Sequence, residues 1–336
     1  MRHMPAVGLP LKLGSRGTPV LDLHRRLAEA GFAPANLLSP VFDADTDTAV
    51  RAFQESRRIE VDGVVGRHTW AALAEAAHRL GDRLLYQKQS PMLRGDDVAE
   101  LQQRLGSLGF DAGRVDGIFG PETARALETF QRNAGLPSDG IFGPATHDSL
   151  TRLGGRAEQR SVASVRERER LRASEDQSIV DSRVVIGELG GLGAVVDTCL
   201  RYLRHQGVRV ETVTHPEESH HARLCNDLDV TGYLGIVAGS EQRCTVSYFA
   251  TTGFESPGGR RLAELVSDEL AKIGFDDATA MGQRLPVLRE TRMPAVVVRI
   301  GPPARLVQAA PELANALAAA VPAWLLAPAG AAEELS

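Results

Sequence analysis

The chain has 336 residues and a formal net charge of −5, with 43% hydrophobic and 24% charged residues. This length predicts two or three domains of an ordinary globular protein. The slightly acidic balance gives no electrostatic basis for nucleic acid or an anionic membrane as the main partner. No window is long and apolar enough to span a bilayer, and the first ten residues lack the apolar segment of a secretory signal. Three cysteines, an odd number, indicate reduced thiols, so we expect a cytoplasmic protein.

The first 153 residues contain a duplication. Six residues of the first copy recur 78 positions later and eight more recur 77 positions later, which indicates two related modules. In each copy, apolar residues at helical spacing predict three helices, with glycine ending the first of them. The matched pairs are Gly17/Gly95, Val20/Val98, Leu23/Leu101, Leu27/Leu105, Gly31/Gly109, Phe32/Phe110, Ala49/Ala126, Phe53/Phe130, Gln54/Gln131, Asp62/Asp139, Gly63/Gly140, Gly66/Gly143, Thr69/Thr146 and Leu73/Leu150.

A short Asp-Gly motif precedes helices in both copies. Asp-Gly favours a turn with positive φ, the next two residues are apolar, and a second glycine leads into the helix. In the first copy the earlier of the two motifs is reduced to Phe42–Thr46 and lacks Asp-Gly. The motif residues are Asp62, Gly63, Gly66, Asp116, Gly117, Gly120, Asp139, Gly140 and Gly143.

This pattern resembles the three-helix peptidoglycan-binding domain found beside many cell-wall hydrolases. The resemblance implies recognition of a peptidoglycan stem peptide or its precursor. The alternative is that the motif residues only build the core and the turns, because a fold does not fix a function.

After the modules, the composition changes and then strands alternate with helices. The segment 154–182 is rich in alternating arginine and glutamate, which predicts a solvated helix or tether. From Arg183 onward, strand–helix alternation predicts a three-layer α/β domain with a largely parallel sheet. We therefore predict two all-α modules (1–80 and 81–153), a charged linker (154–182), an α/β domain (183–327) and a tail (328–336).

The last predicted strand, Ala295–Ile300, contains an unexpected cation. Its apolar run lies between Pro294 and Gly301, which is typical of a strand buried on both faces. Arg299 then falls at the carboxyl end of this strand, where open α/β sheets place their functional residues. Either Arg299 simply reaches solvent, or it occupies a former functional position.

The α/β domain resembles the zinc-dependent N-acetylmuramoyl-L-alanine amidases from Arg183 to Leu326. The resemblance rests on Gly190-Gly191, Cys225-Asn226, Ser256–Ala263, Leu285–Arg289 and Met293–Val296. It implies two histidine ligands, a glutamate ligand and a catalytic glutamate, which would hold zinc and activate water. At the corresponding positions this chain has Leu189, Val237 and Arg299, and the segment that would carry the ligand glutamate is shortened. We therefore expect no metal, no other cofactor and no hydrolysis, and we expect Arg299 to pair with Glu188.

One alternative metal site remains. His215, His220, His221 and Cys225 lie close together in the sequence, and His221 and Cys225 have i, i+4 spacing. We favour exposed histidines in a loop beginning at Pro216, placed before the middle strand and away from the carboxyl edge of the sheet.

The whole arrangement resembles the actinobacterial CwlM-type regulators of peptidoglycan precursor synthesis. The resemblance implies a non-catalytic regulator or scaffold, with the enolpyruvyl transferase of the first committed step as the expected protein partner. Two alternatives stay open: an active zinc amidase with relocated ligands, and a simple sensor of peptidoglycan precursors.

Overall fold

The computed structural model describes residues 8–153, 162–174, 179–241 and 243–328. The chain divides into two units, Met1–Ala163 and Ser164–Ser336. We refer to them as the helical unit and the α/β unit. In the described residues, no helix combines the length and the apolar character that a membrane span requires.

The helical unit contains two modules of three helices each, as the duplication predicted. The first helix of each module buries one apolar stripe, because its leucines and valine recur at helical spacing. The helices are α1 (Thr18–Glu29), α2 (Ala44–Ser56), α3 (Arg67–Glu75), α4 (Asp96–Ser107), α5 (Pro121–Asn133) and α6 (Pro144–Leu153).

The two modules repeat the same packing. The rings of Phe32 and Phe53 meet edge-on with centroids 5.6 Å apart, and those of Phe110 and Phe130 do so at 5.5 Å. Such edge-to-face pairs are a favoured aromatic geometry. Each module has its own apolar cluster of buried side chains. The duplication in sequence is therefore a duplication in three dimensions.

The α/β unit has three layers around a mixed sheet. Among the described residues the strand order is β2-β1-β3-β7-β4-β5, and β6 also pairs with β4. All pairs are parallel except β4 with β7 and β4 with β5. The strands are β1 (Arg183–Glu188), β2 (Arg209–Thr214), β3 (Gly232–Ala238), β4 (Cys244–Thr251), β5 (Phe254–Glu255), β6 (Thr279–Gln283) and β7 (Ala295–Ile300).

Helices cover both faces of this sheet, which is why β1, β3 and β7 are buried along most of their length. One face packs its valines, leucines and isoleucines against α8, α10 and α13. The opposite side holds α9, which packs against α11. The helices are α8 (Gly193–His205), α9 (Glu218–Leu228), α10 (Pro257–Ala271), α11 (Pro286–Glu290), α12 (Pro303–Gln308) and α13 (Ala310–Leu326).

The charged segment 154–182 is the one predicted to form a solvated helix or tether. A helix, α7 (Val162–Ser174), lies within it, and a short 3-10 turn follows at Ile179–Asp181. Leu171 of α7 is only 7% exposed. From Ser164 onward this segment belongs to the α/β unit. A helix was one of the two predicted alternatives, and the burial of Leu171 is the feature that the charged composition did not indicate. The predicted tail (328–336) lies, apart from Pro328, outside the described residues.

Candidate functional site

The carboxyl ends of β1, β3 and β7 bring together the three positions that the sequence singled out. The parallel register places Val237 beside Arg299, and the backbone N–H of Leu189 donates to the carbonyl oxygen of Ile236 at 3.0 Å. We call this edge, formed by Leu189, Val237 and Arg299, the β1–β3–β7 rim. It lies where open α/β sheets hold their ligands.

The rim carries aliphatic side chains and a cation. Leu189 is 9% exposed, whereas Val237 and Arg299 are half-buried. A Cβ at Gly239 would lie 3.1 Å from Cγ of Arg299, so the glycine leaves room for the arginine stem. The in-register neighbours of Arg299 are Val237 and Thr245. A guanidinium has no lone pair to offer, so Arg299 cannot act as a ligand where a metal site requires electron-donating groups.

Glu188 is the acidic side chain next to the rim, and it serves a structural purpose. It is 8% exposed, and its Oε1 accepts a hydrogen bond from the backbone N–H of Leu192 at 3.1 Å. This bond closes the turn through Gly190 and Gly191, both of which have positive φ. The predicted pairing of Glu188 with Arg299 stays a prediction.

The histidine cluster corrects two expectations. His221 is fully buried on helix α9 and does not lie in an exposed loop. His215 follows the carboxyl end of β2, and its backbone N–H donates to the carbonyl oxygen of Glu188 at 3.1 Å. The cluster thus lies at the carboxyl edge of the sheet, which its place before the middle strand did not reveal. Because β2 and β1 are parallel neighbours, the residues that follow β2 lie at the same edge of the sheet as those that follow β1. The order of the segments in the sequence does not show this.

Both ring nitrogens of His221 are already engaged. Nε2 lies 2.7 Å from the carbonyl oxygen of His215, and Nδ1 lies 2.9 Å from the hydroxyl of Tyr233. A carbonyl oxygen can only accept, so Nε2 carries the hydrogen and the neutral ring accepts from Tyr233 at Nδ1. Burial lowers the pKa of His221, which favours this neutral ring. The imidazole therefore has no free lone pair for a metal ion.

Two glycines make room for this buried pair. A Cβ at Gly187 would lie 2.1 Å from the hydroxyl oxygen of Tyr233, and one at Gly235 would lie 2.7 Å from it. Both distances are too short for any other residue. Since Tyr233 is 0% exposed, its hydroxyl needs an internal partner, and His221 provides it.

The remaining members of the cluster point to structural roles as well. The rings of His215 and His220 stack with centroids 4.2 Å apart, and Nδ1 of His215 accepts from the backbone N–H of Glu217. Cys225 is buried, and burial raises the pKa of its thiol to about 12, which disfavours the thiolate that binds metals.

The donor set that the amidase resemblance implies does not fit a zinc ion here. Over the described ranges of the chain, no three or more histidine, cysteine, aspartate or glutamate side chains are grouped so that they could hold a metal. Zinc sites take at least three such donors around one ion. His220, His221 and Cys225 do not form such a site. Both ring nitrogens of His221 are hydrogen-bonded within the protein, and Cys225 is buried as a thiol.

In the helical unit, the Asp-Gly motifs are held by buried glutamines. The two N–H groups of Gln131 Nε2 are shared among three acceptors, Asp139 Oδ1, the carbonyl oxygen of Ile141 and Thr146 Oγ1, at 2.9, 3.0 and 3.2 Å. Oε1 of Gln131 accepts from the backbone N–H of Gly140 at 3.0 Å. One side chain thus fixes both ends of the turn. We call this arrangement a glutamine clasp.

The same clasp occurs three times. Gln54 makes the corresponding bonds to Asp62, Gly63, Val64 and Thr69. Gln102 makes them to Asp116, Gly117, Ile118 and Thr123. Sequence reasoning matched Gln54 with Gln131 but missed the role of these glutamines, although their recurrence beside the Asp-Gly motifs was the available signal.

The fourth position of the pattern contains a histidine. His24 stands 78 residues before Gln102, and its Nε2 lies 2.9 Å from Oγ1 of Thr46. Asp43 accepts from the backbone N–H and the hydroxyl of Thr46, so it caps α2 where the Asp-Gly pair is missing. In the reduced motif of the first module, His24 and Asp43 therefore hold the turn before α2 in place of a glutamine and an Asp-Gly pair.

The glycines of the motifs divide into two kinds. Gly63, Gly117 and Gly140 have positive φ, as the Asp-Gly turn predicts. Gly66 and Gly120 instead have extended backbone as helix N-caps, and a Cβ would meet nothing within 4 Å at either position. The backbone conformation at Gly66 and Gly120 therefore does not require glycine. At Gly143 a Cβ would lie 3.4 Å from a methyl carbon of Leu84, an ordinary contact.

Comparisons with known proteins agree with this architecture. Residues 16–73 and 94–150 match the family described as "Putative peptidoglycan binding domain". The protein "N-acetylmuramoyl-L-alanine amidase CwlM" of Mycobacterium tuberculosis is 33% identical over 88% of this chain and 82% of its own length. The chain belongs to the CwlM family.

Two further similarities concern parts of the chain. The protein "N-acetylmuramoyl-L-alanine amidase CwlL" of Bacillus licheniformis is 34% identical over 44% of this chain and 47% of its own length. The crystal structure of an N-acetylmuramoyl-L-alanine amidase from Clostridium difficile 630 is 15% identical, with a TM-score of 0.35, over 44% of this chain and 98% of that one. This member of the CwlM family combines two peptidoglycan-binding-type repeats with a three-layer α/β unit.

Proposed function

We propose that this CwlM-family chain is a non-catalytic regulator or scaffold of peptidoglycan synthesis. The observation that supports the proposal best is the chemistry of the β1–β3–β7 rim. Zinc-dependent amide hydrolysis needs a Lewis acid on the carbonyl and a base for the attacking water. Leu189 and Val237 offer neither, and the guanidinium of Arg299 has no lone pair for a metal ion and does not act as a base.

The partner we propose is an early enzyme of peptidoglycan precursor synthesis, with the enolpyruvyl transferase of the first committed step as the first candidate. The place of action we propose is the cytoplasm. The helical unit supplies a second candidate function, the sensing of a stem peptide or precursor, since both of its modules match a peptidoglycan-binding family.

The experiment has two parts. Purified protein is incubated with muropeptides, with and without added zinc, beside an active zinc amidase as the positive control, and released stem peptide is measured. Binding to the purified transferase and to soluble stem peptides is then measured separately. We expect no release and binding to the transferase.

Each other result has a defined meaning. Zinc-dependent release that is lost in the His220→Ala/His221→Ala variant would establish the active amidase and end the proposal. Stem-peptide binding without binding to the transferase would favour the sensor.

A further inference from the structure

Helix α7 does not have a sequence that forms a stable helix by itself. It contains four arginines and two glutamates in 13 residues. Its charge pairs oppose one another, because arginines at i, i+4 spacing destabilise a helix whereas arginine–glutamate pairs at i, i+3 spacing stabilise it by similar amounts. Isolated helices of this length are marginal in water even with good sequences. The observed helix therefore depends on what it packs against.

One face of α7 makes the contacts. Ser164, Glu167 and Leu171 are spaced by three and four residues, so they lie on the same side of the helix. The hydroxyl of Ser164 donates to the carbonyl oxygen of Glu255 at 3.2 Å. The hydroxyl of Ser256 donates to Oε1 of Glu167 at 2.5 Å. The stripe thus combines two polar contacts with one apolar anchor.

The apolar anchor fits a surface that only glycine permits. A Cβ at Gly258 would lie 2.8 Å from Cδ1 of Leu171 and 2.7 Å from Cγ of Pro294. The carbonyl oxygen of Gly258 also accepts a hydrogen bond from the indole N–H of Trp324, which is fully buried. Leu171 therefore covers the end of the main apolar core.

The charge of Glu167 matches its position. Ser256 is the N-cap of α10, and its hydroxyl also accepts from the backbone N–H of Gly259 at 3.2 Å. The carboxylate of Glu167 thus lies at the amino end of a 15-residue helix, where the helix dipole favours negative charge. Because Pro294 precedes β7, this place is at the amino end of that strand and away from the rim, which lies at its carboxyl end.

We propose that the start of α10 is a helix-docking site and that α7 is a detachable strap bound to it. The strap is helical while docked, and its release uncovers Ser256, Gly258 and Pro294 without unfolding the sheet. This inference is independent of the proposed function, because it concerns a surface at the opposite end of β7 from the rim.

Limited trypsin digestion of the full chain tests the proposal directly. The strap contains its own cleavage sites, at Arg166, Arg168, Arg170 and Arg172, and cleavage there requires the open form. Mass spectrometry follows the rate at these four sites. Losing a hydrogen bond to a charged group is expected to raise the open population about tenfold, so Glu167→Ala is cleaved about tenfold faster. Leu171→Ala is expected to be cleaved at least as much faster, because it removes the apolar anchor.

Matched variants on the other faces serve as controls. Glu169→Ala removes an exposed glutamate of the same helix, and Val165→Ala removes a side chain that is 52% exposed. Both are expected to leave the rate within about twofold of the wild type, as surface substitutions usually do.

Two results would overturn the proposal. Equal rates for Glu167→Ala and Glu169→Ala would show that the strap is not held through Ser256. Hydrogen exchange on the same variants gives the second criterion. We expect faster exchange confined to α7 in Glu167→Ala and Leu171→Ala, whereas lost protection throughout the sheet would make α7 an integral part of the fold.

Discussion

In both the helical unit and the α/β unit, buried polar side chains form hydrogen bonds within the protein. Only in the α/β unit did the sequence indicate a possible metal site. In the helical unit, Gln131 and its two counterparts hold Asp-Gly turns. In the α/β unit, His221 holds Tyr233 above two glycines. In both units, an amide or imidazole that could bind a ligand forms its hydrogen bonds with other groups of the protein.

The difference between the units lies in what surrounds these groups. The clasps are repeated three times with the same partners, so their structural role follows from the repeat alone. The pair of His221 and Tyr233 has no repeat within the described residues. It lies near the sheet edge that forms the rim, where functional residues are expected. Only the count of donors and acceptors around His221 shows that neither nitrogen is available. The comparison teaches that partners, and not residue types, separate a structural group from a functional one.

Removing a glutamine clasp is the largest expected effect. Gln102→Leu leaves the buried N–H of Gly117 without its acceptor and removes the two N–H donors that Asp116, Ile118 and Thr123 share. Unsatisfied buried groups cost about 1–3 kcal/mol each, so we expect the helical unit to lose about 3 kcal/mol. Urea denaturation followed by circular dichroism measures this loss. Gln103→Leu, at the half-buried neighbouring position, is the matched control and should change the midpoint little.

The Tyr233→Phe substitution tests the second group and has a smaller expected effect. The change keeps the ring but leaves Nδ1 of His221 without its donor. We expect a loss of about 1–3 kcal/mol in the stability of the α/β unit. Tyr202→Phe changes a half-buried tyrosine outside this pair and serves as the control. Equal stabilities for the two variants would mean that the hydroxyl of Tyr233 contributes nothing, contrary to the structural role given to the pair.

A more gradual effect is expected from pH. Burial lowers the pKa of His24 and of His221 below the usual 6.5, so the folded chain binds fewer protons than the unfolded chain between the lowered values and 6.5. Stability is therefore fully present above about pH 6.5 and falls as the pH drops through that value. Urea midpoints at pH 7.5 and 5.5 measure the change. His24→Gln should reduce it in the helical unit, whereas His68→Gln, at an exposed position, should not. A midpoint that is equal at both values would contradict this account.

Much of the architecture was predictable because it depends on local pattern. The repeat in the sequence predicted the two modules, and the apolar run Ala295–Ile300 predicted a central strand with the same bounds. The expectation that Leu189, Val237 and Arg299 share one site came from the amidase resemblance, and the parallel register of β1, β3 and β7 places them at one edge of the sheet. The burial of His221 did not follow, because it depends on Tyr233 and on two glycines from separate strands. The docking of α7 was hidden for the same reason, since one leucine among charged residues gives no helical stripe.

Zinc binding tests the central claim most directly. The purified, metal-stripped chain is titrated with zinc, and bound metal per chain is determined by elemental analysis after dialysis. The account predicts no stoichiometric zinc and no change when His220 and His221 are replaced by alanine. One zinc per chain, lost in that double variant, would contradict the account, because it would place on the α/β unit a metal site that its side chains, as arranged here, do not form.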